Sequence, residues 1–382
     1  MEKQLAKMMS VKEINNPKDV KEFVMFPFKL YAQNNYWVPP VISEEVASFD
    51  VTKNPFLNDS EVSLFLAFKN EEIVGRIAVI VNKTEIFQQG IKKVRFGWFD
   101  FIDNTEVFKM LIEKVVEIGQ KHELTFMEGP IGFSSMDKIG VITEGFDHIG
   151  SMATWYNHPY YQKHYEHLNF NVEKVYLENK FNMSDVHPVN FERISQLIQA
   201  RYSLKLLNLK KTKELHSYLD EMFDLFNESY SKLESFVPIS DEQKKYLTNK
   251  FINFIKPEYV MLVVDKDHKI VAFSVVMPSF SEALQKAKGK LFPIGFYHLL
   301  KAKYFNKTME FYLIGVHPDY QRKGVTALIF EGYYNLFKGK NIKNCRRTPE
   351  LATNKATALI WKHINNVNFK KRCTFSKNLL SE

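Results

Sequence analysis

The sequence predicts a mixed α/β protein built from two repeated units. Strand-like and helix-like hydrophobic patterns alternate along its 382 residues, and one hairpin pattern occurs twice at a nearly constant spacing. Hydrophobic residues make up 45% and charged residues 25%, which is the balance of a folded globular protein. At about 150 residues per domain, this length suits two domains.

The net charge is modestly positive. The 52 Lys and Arg against 44 Asp and Glu give +8, which suits an anionic partner such as a phosphorylated cofactor, an acidic substrate or a membrane surface. The basic residues are scattered rather than massed, so we expect no nucleic-acid partner. We interpret the 33 Phe residues as core residues rather than as a stacking platform for bases.

The cysteine content and the N-terminus favour a cytoplasmic protein. Cys345 and Cys373 are too few for a disulfide framework or a four-cysteine zinc site, and we expect no metal. The first residues lack the apolar run of a signal peptide. No run of roughly 20 apolar residues predicts a membrane span.

Two features recur in the same order. The first is a polar turn followed by a β-rich run, at 70–82 and again at 267–279, with a further strand before each at 63–68 and 259–264. The second is a helical stretch opened by Asn157 or Asn354, which ends in Asn-Phe at 169–170 or 368–369 and is followed by a strand at 174–180 or 371–377. The offsets of 197 and 199 residues favour duplication.

This repeat predicts the domain boundaries. The N-terminal unit covers 1–182, a helical connector covers 183–200, and the C-terminal unit covers 201–382 and begins with a helix over 213–233. An insertion at 281–307 contains the apolar run 291–300, flanked by Lys286, Lys288, Lys290, Lys301, Lys303 and Lys307. Three interpretations stay open: peripheral contact of 286–307 with an anionic membrane, a cover over an apolar substrate channel, or a helical hairpin packed on its own domain.

The segment 309–330 carries the strongest chemical signal. A strand over 310–316 is broken by His317 and Pro318, a glycine-containing turn follows at 321–326, and a helix covers 325–337. A strand, a turn and a helix N-terminus in this order form an anion-binding site. The segment matches neither a Walker loop nor a dinucleotide fingerprint, because the required glycines are absent.

Residues 321–326, Gln-Arg-Lys-Gly-Val-Thr, resemble the pyrophosphate loop Q/R-x-x-G-x-G/A of the GNAT superfamily of acyl-CoA N-acyltransferases, with Thr326 in place of the last Gly or Ala. The resemblance implies two tandem GNAT-like folds and acetyl-CoA or a longer acyl-CoA as co-substrate. It assigns cofactor contacts to Ile314, Val316, Gln321, Arg322, Lys323, Gly324, Val325, Thr326 and Asn354. The first unit has Asp103-Asn-Thr-Glu at its equivalent turn, so we expect a GNAT-like fold there without a cofactor site.

The resemblance also implies catalytic roles. Glu310 and Glu350 are candidates for the base, and the alternative for Glu310 is an exposed charge at a strand end. Asn354 is a pantetheine contact, a helix N-cap or both. Trp361 stands where the family usually has the tyrosine that protonates the leaving thiolate, so the general acid is unassigned; the candidates are Tyr312, Tyr320, Tyr333 and Tyr334.

Three functions follow. The first is an N-acyltransferase that moves an acyl group from CoA to a small-molecule or lipid amine, in the cytoplasm or at the inner membrane surface. The second is a non-catalytic acyl-CoA-binding protein. The third is a relative of the Fem-type aminoacyl transferases, which use aminoacyl-tRNA. The intact turn from Gln321 to Gly324 favours a CoA donor.

Overall fold

The computed structural model describes residues 9–379 except 135, 234, 235, 253 and 363. Its contacts divide the chain into two compact units. Unit 1 consists of the described parts of Met1–Leu177, Ser281–Phe296 and Lys370–Glu382, and unit 2 consists of those of Glu178–Phe280 and Tyr297–Phe369. The outer ends of the two predicted repeats, 1–8 and 380–382, lie outside the described residues.

Strands and helices alternate along the described residues. The strands are β1 (Met9–Ile14), β2 (Ser60–Lys69), β3 (Glu72–Asn82), β4 (Lys93–Phe101), β5 (Phe126–Gly129), β6 (Val141–Glu144), β7 (Asn171–Asn182), β8 (Lys205–Leu207), β9 (Val260–Val264), β10 (Ile270–Pro278), β11 (Thr308–Val316), β12 (Asn344–Arg347), β13 (Glu350–Leu351) and β14 (Val367–Asn378). The helices are α1 (Pro17–Leu30), α2 (Ile42–Ala47), α3 (Lys83–Phe87), α4 (Thr105–Lys121), α5 (Tyr160–His167), α6 (Pro188–Tyr202), α7 (Thr212–His216), α8 (Leu219–Tyr230), α9 (Asp241–Phe251), α10 (Ser281–Ala287), α11 (Gly295–Phe305), α12 (Thr326–Gly339) and α13 (Lys355–Trp361).

The sheet of unit 1 has the strand order β1-β2-β3-β4-β5-β14, with β6 also paired to β14. The predicted first hairpin is β2 and β3, paired antiparallel from Ser60↔Asn82 to Lys69↔Glu72. Strands β4 and β5 run parallel. Helix α4 buries Phe108 and Leu111 in the core of this unit, and its apolar residues recur at helical spacing.

The sheet of unit 2 has the order β7-β12-β11-β10-β9-β8. The predicted second hairpin is β9 and β10, and β11 pairs antiparallel with β10 and parallel with β12. Helix α12 buries Ile329 and Phe337 against this sheet, and α6 adds Phe191 to the same core. The segment predicted as a connector therefore packs within unit 2.

The last strand of each repeat covers the predicted range, 174–180 or 371–377, and extends beyond it. The helical stretch opened by Asn354 ends at Trp361, and residues 367–369 begin β14 instead of closing a helix. Strand β14 pairs with β5 and β6, so the end of the chain completes the sheet of unit 1. Residues 180–182 of β7 pair with β12 and complete the sheet of unit 2. Pairing between distant segments decided this arrangement, and the repeat pattern contains no signal for it.

Three further elements differ in detail. The predicted helix over 213–233 is two helices, α7 and α8, because the chain breaks at Ser217, whose hydroxyl donates to the carbonyl of Glu214. The insertion contains α10 and α11, but residues 281–296 belong to unit 1 and residues 297–307 to unit 2, so it is not a hairpin packed on the C-terminal unit alone. In the first repeat Asn157 does not cap α5; its side chain bonds both the amide and the carbonyl of Ile142.

A buried ionic cluster stabilises unit 1. The carboxylate of Glu128, on β5, accepts hydrogen bonds from Lys93 and Lys174 at 2.9 Å each and from Thr374 at 3.0 Å. All four side chains are buried. Burial alone would raise the pKa of Glu128, but the two ammonium groups outweigh it and lower the pKa from 4.5 to about 2.

We expect Glu128→Gln to destabilise unit 1 by about 3–5 kcal/mol, because Lys174 would lose its buried counter-charge and Lys93 would keep only Glu85. The depressed pKa means that this stabilisation is present above pH 4.5 and is lost as the pH falls towards 2. Urea unfolding of the full chain between neutral and acidic pH measures both effects. Glu144→Gln is the control, because its ion pair with Lys371 is exposed and contributes about 1 kcal/mol or less. Equal losses in both variants would contradict the assignment.

Candidate active site

The site is built on an edge of β11 that β12 leaves open. The parallel register of β11 and β12 runs from Thr308↔Asn344 to Phe311↔Arg347, and the amide of Thr348 donates to the carbonyl of Phe311 at 3.1 Å. On its other edge β11 stays paired with β10 as far as Val316. The two parallel strands therefore separate after Phe311, and the second half of β11 turns one edge towards the gap.

A β-bulge and the strand alternation decide which amides face this gap. Val275 pairs with Leu313 and Val276 with Phe311, so Tyr312 is the extra residue of a bulge. The amide of His317 donates to β10, at Val271. Because successive residues of a strand direct their amides to opposite edges, those of Ile314 and Val316 face the gap. The cofactor contacts that the resemblance assigns to these two residues stay a prediction.

Two side chains approach the same edge. The hydroxyl of Tyr230, at the end of α8, donates to the carbonyl of Ile314 at 3.0 Å. The side-chain amide of Gln321 donates to the carbonyl of Val316 at 3.2 Å. Gln321 thus ties the end of β11 to the turn at 321–326 that follows.

The turn at 321–326 has the backbone of an anion site. Arg322 and Gly324 both have positive φ, 61° and 80°, and alternation of left-handed and ordinary residues directs successive amides to one side of the chain. Within the described part of the chain, the amides of Arg322, Gly324, Val325 and Thr326 have no hydrogen-bond acceptor. No side chain caps the start of α12. These free donors and the positive end of the helix dipole suit a pyrophosphate.

Positive side chains surround these amides. Arg322 and Lys323 are exposed at the turn, and the ammonium of Lys323 lies 5.2 Å from the ring centres of both Tyr202 and Tyr320. Thr326 is half-buried at the start of α12, where the family pattern has Gly or Ala. Among the described residues, no group of three His, Cys, Asp or Glu side chains is arranged to hold a metal ion.

In the equivalent turn of unit 1, a side chain of the turn itself binds the backbone amides. Between β4 and α4, the side chain of Asn104 accepts hydrogen bonds from the amides of Glu106 and Val107 at 3.0 and 3.1 Å. These are the donors that an anion would need. Glu106 adds a negative charge to the first turn of α4.

The strand edge of unit 1 is closed as well. The register of β4 with β5 ends at Arg95↔Glu128, but the amide of Ile131 then donates to the carbonyl of Phe96 at 2.8 Å. The chain lies so close there that a Cβ at Gly97 would stand 2.5 Å from the carbonyl oxygen of Ile131. Among the described residues, the equivalent turn and strand edge of unit 1 therefore lack the free amides and the open edge found in unit 2.

Glu310, the first predicted base, is buried on β11. Its carboxylate accepts hydrogen bonds from Ser279 at 2.6 Å and from Tyr312 at 3.0 Å, and 2% of the residue is exposed. The alternative of an exposed charge at a strand end is wrong. Any proton transfer between Glu310 and a substrate would have to pass through the Tyr312 hydroxyl or another intermediate group.

Glu350, the second predicted base, lies on β13, three residues after β12 ends at Arg347. It is held by the guanidinium of Arg347 through two contacts, one of 3.0 Å, and its side chain retains 21% exposure. Burial raises the pKa of Glu350 above its ordinary value, and Arg347 and the Trp361 indole oppose this shift only in part. A carboxylate with a raised pKa and access to solvent is suited to general base catalysis.

The predicted tyrosines differ in their surroundings. The Tyr333 hydroxyl is buried and bonded to the carbonyls of Tyr259 and Ser274, so it belongs to the core. Tyr312 bonds Glu310, and Tyr320 packs beside Lys323. Tyr334 is half-buried on α12.

Sequence reasoning missed Tyr230. The Tyr230 hydroxyl donates to the carbonyl of Ile314. Burial and the charge of nearby Glu350 raise the pKa of Tyr230 to about 12, so its hydroxyl carries a proton at neutral pH. Phe226 stacks on its ring at 4.5 Å. The sequence signal is only one aromatic residue at the end of a core helix, far in the chain from β11.

Asn354 precedes α13 as its cap residue, and Trp361 is the last residue of that helix. The side chain of Asn354 accepts from the amide of Thr357 at 3.2 Å, which is the N-cap role; the pantetheine role stays a prediction. Trp361 is buried against Phe311 and Phe330, and the guanidinium of Arg347 lies 4.3 Å from its ring centre. Trp361 therefore supports Arg347, which in turn holds Glu350.

Comparisons with known proteins agree with this architecture. No protein-family model matches the sequence. The chain is 24% identical over 376 residues to Protein YghO of Escherichia coli, an alignment that covers 97% of this chain and 95% of that protein. It is 24% identical over 318 residues to a protein named bacterial ceramide synthase from Caulobacter vibrioides, with 82% of each chain covered.

A solved structure has the same fold. A tandem GNAT protein from the clavulanic acid biosynthesis pathway superposes with a TM-score of 0.56, covering 98% of this chain and 100% of that chain, at 8% identity. The predicted fold class and the resemblance to tandem GNAT proteins are confirmed. The chain has a mixed α/β architecture of two tandem GNAT folds.

Proposed function

We propose that this protein is an N-acyltransferase that moves an acyl group from acyl-CoA to the primary amine of a long-chain amino alcohol. The observation that carries the proposal is the pairing, in unit 2, of an open strand edge with an uncapped helix N-terminus. The first feature can polarise a thioester carbonyl, and the second can hold a pyrophosphate.

The donor is inferred from the turn at 321–326. Four free amides, Arg322 and Lys323 suit the diphosphate of CoA, and the Ile314 and Val316 amides lie along the strand that leads to the turn. Unit 1 offers an internal control, since Asn104 occupies the same donors there. We therefore assign one acyl-CoA site to each chain.

The acceptor is inferred from the relative named bacterial ceramide synthase. Ceramide is the amide of a fatty acid and a long-chain amino alcohol, so forming it by acyl transfer joins an acyl thioester to a primary amine. The similarity extends over 82% of this chain. A lipid amine also agrees with the apolar run 291–300 of the insertion, for which one interpretation is a cover over an apolar substrate channel.

The residues at the open edge divide the chemistry between them. Bound acyl-CoA supplies the thioester carbon that the amine attacks. The Ile314 and Val316 amides stabilise negative charge on the carbonyl oxygen. Glu350 accepts the proton that the amine loses as the C–N bond forms, and Tyr230 gives its proton to the thiolate as the C–S bond breaks. Glu310 and Tyr312 support the strand beneath.

Glu350→Gln should lower kcat roughly 100-fold with little change in acyl-CoA affinity, because it removes the base and leaves the turn at 321–326 intact. Because the pKa of Glu350 is raised, the wild-type rate should keep rising with pH beyond the pH at which an ordinary glutamate is fully ionised. The rate of the Glu350→Gln variant should no longer show this rise with pH. Rates from acidic to neutral pH measure both effects.

Glu310→Gln is the comparison variant, and we expect a smaller loss because the hydroxyls of Ser279 and Tyr312 can still donate to its amide oxygen. A full rate and an unchanged pH profile in Glu350→Gln, with a large loss in Glu310→Gln, would transfer the role of base to Glu310.

The proposed reaction is tested by incubating the protein with palmitoyl-CoA and sphinganine. We expect the amide, identified by mass spectrometry, and free CoA, measured as thiol, to appear in equal amounts. If the protein binds palmitoyl-CoA but forms neither amide nor free CoA with sphinganine or any other amine, the result would favour the alternative of a non-catalytic acyl-CoA-binding protein. Transfer from aminoacyl-tRNA but not from acyl-CoA would favour the Fem-type alternative.

A further inference from the structure

The outward face of helix α11 is apolar, which is the reverse of an ordinary surface helix. Its residues are Phe296, Tyr297, Leu300, Lys301, Tyr304 and Phe305. They recur at helical spacing along the 11 residues of α11. Leu299, on the opposite side, is buried. The helix thus packs one side into the protein and presents a second apolar side to solvent.

The exposure of these side chains is large. Phe305 is 73% exposed, Tyr297 62% and Tyr304 57%, and Phe292 in the preceding loop is 79% exposed. The rings of Phe292 and Phe296 stack on each other at 6.5 Å. Contiguous exposed aromatic residues of this kind mark an interaction surface, and phenylalanine and tyrosine beside lysine are typical of segments that lie at a bilayer surface.

The charge around the face selects the partner. Between Glu282 and Glu310 the sequence contains six lysines and no Asp or Glu. Lys286, Lys288, Lys290, Lys301 and Lys307 are exposed. The ammonium of Lys256, which also pairs with Glu258 at 3.6 Å, lies 4.4 Å from the ring centre of Tyr304. An apolar face in a segment whose charged residues are all lysines is complementary to acyl chains beneath anionic headgroups.

The dimensions decide between lying on a bilayer and crossing it. Eleven helical residues span about 16 Å, roughly half of a hydrocarbon core. In the described ranges of the chain, no helix has the length and apolar character needed for a membrane span. We infer that the outward face of α11 docks this protein on the surface of an anionic phospholipid bilayer, parallel to the membrane plane.

The test is co-sedimentation of the full chain with lipid vesicles. Wild-type protein should bind vesicles of phosphatidylglycerol and phosphatidylcholine, bind phosphatidylcholine alone weakly, and be released by added salt. Phe305→Glu should reduce binding at least roughly tenfold, because it places a charge in the apolar face. Lys301→Glu, on α11 itself, should reduce binding by about fivefold or more.

Phe87→Glu is the matched control, because Phe87 is 81% exposed on α3 of unit 1, outside this face. It should bind vesicles as the wild type does. Equal loss of binding in Phe87→Glu and Phe305→Glu would overturn the inference, as would wild-type protein that binds neither vesicle. A wild-type dimer that Phe305→Glu converts to a monomer, without vesicle binding, would assign the face to a second copy of the chain and would also overturn it. Acyl transfer is not measured, so the result is independent of the proposed activity.

Discussion

Gly324→Asp should weaken CoA binding roughly 100-fold or more. Gly324 has a φ of 80°, and the side chain of aspartate would add a negative charge among the free amides that we assign to the pyrophosphate. Loss of charge-assisted hydrogen bonds together with like-charge repulsion amounts to about 3 kcal/mol or more, which is the basis of the expected factor. Calorimetric titration of CoA into wild type and variant measures it.

The fold should survive this substitution. A Cβ at Gly324 would stand 3.5 Å from Ile194 and 3.6 Å from Ile198, which is ordinary van der Waals contact. The cost is therefore the left-handed backbone, about 1–2 kcal/mol. Gly90→Asp is the control, because Gly90 has a φ of 69° and open space around it, in unit 1. Gly90→Asp should lose similar stability and bind CoA normally. Equal CoA binding by wild type and Gly324→Asp would remove the turn from the cofactor site.

Tyr230→Phe should lower kcat by roughly 100- to 1000-fold, the usual contribution of a general acid. The ring would still stack on Phe226, so the loss is that of a single hydroxyl. Acyl-CoA affinity should change little, and stability should fall by about 1 kcal/mol through the lost bond to the Ile314 carbonyl. Single-turnover measurements with saturating acyl-CoA separate the chemical step from binding.

The nature of the leaving group distinguishes an acid from a structural residue. If Tyr230 protonates the thiolate, its loss should matter less for an acyl thioester whose thiol is more acidic than that of CoA. Tyr334→Phe is the control, since Tyr334 is a half-buried tyrosine of α12 in the same unit. A defect in Tyr230→Phe that is the same for both thioesters, or a similar defect in Tyr334→Phe, would contradict the role of acid.

Features that depend on local sequence could be predicted. Both hairpins follow from polar turns between β-rich runs, and the turn at 321–326 follows from Gly324 between a strand and an apolar helix. The contrast between the two units was also readable, because Asp103 and Glu106 stand where the second unit has Arg322 and Lys323. The structure adds the reason at atomic level, which is the cap supplied by Asn104.

Features that depend on distant pairing could not be predicted. Residues 367–369 carry a pattern compatible with the end of a helix, but they begin β14, whose later residues pair with β6 and β5. Tyr230 reaches Ile314 across 84 positions of sequence, so no local spacing marks it. The different surroundings of Glu310 and Glu350 arise from Ser279 and Arg347, whose positions depend on the packed sheet.

The central claim is that one of two similar folds binds acyl-CoA, and the stoichiometry of CoA binding tests it most directly. Calorimetric titration of the full-length wild-type chain should give one CoA per chain, with no second site at higher concentration. Gly324→Asp should weaken that single binding event roughly 100-fold or more, and Gly90→Asp should retain it. Two CoA molecules per chain, or one that Gly324→Asp binds as tightly as the wild type, would contradict the account.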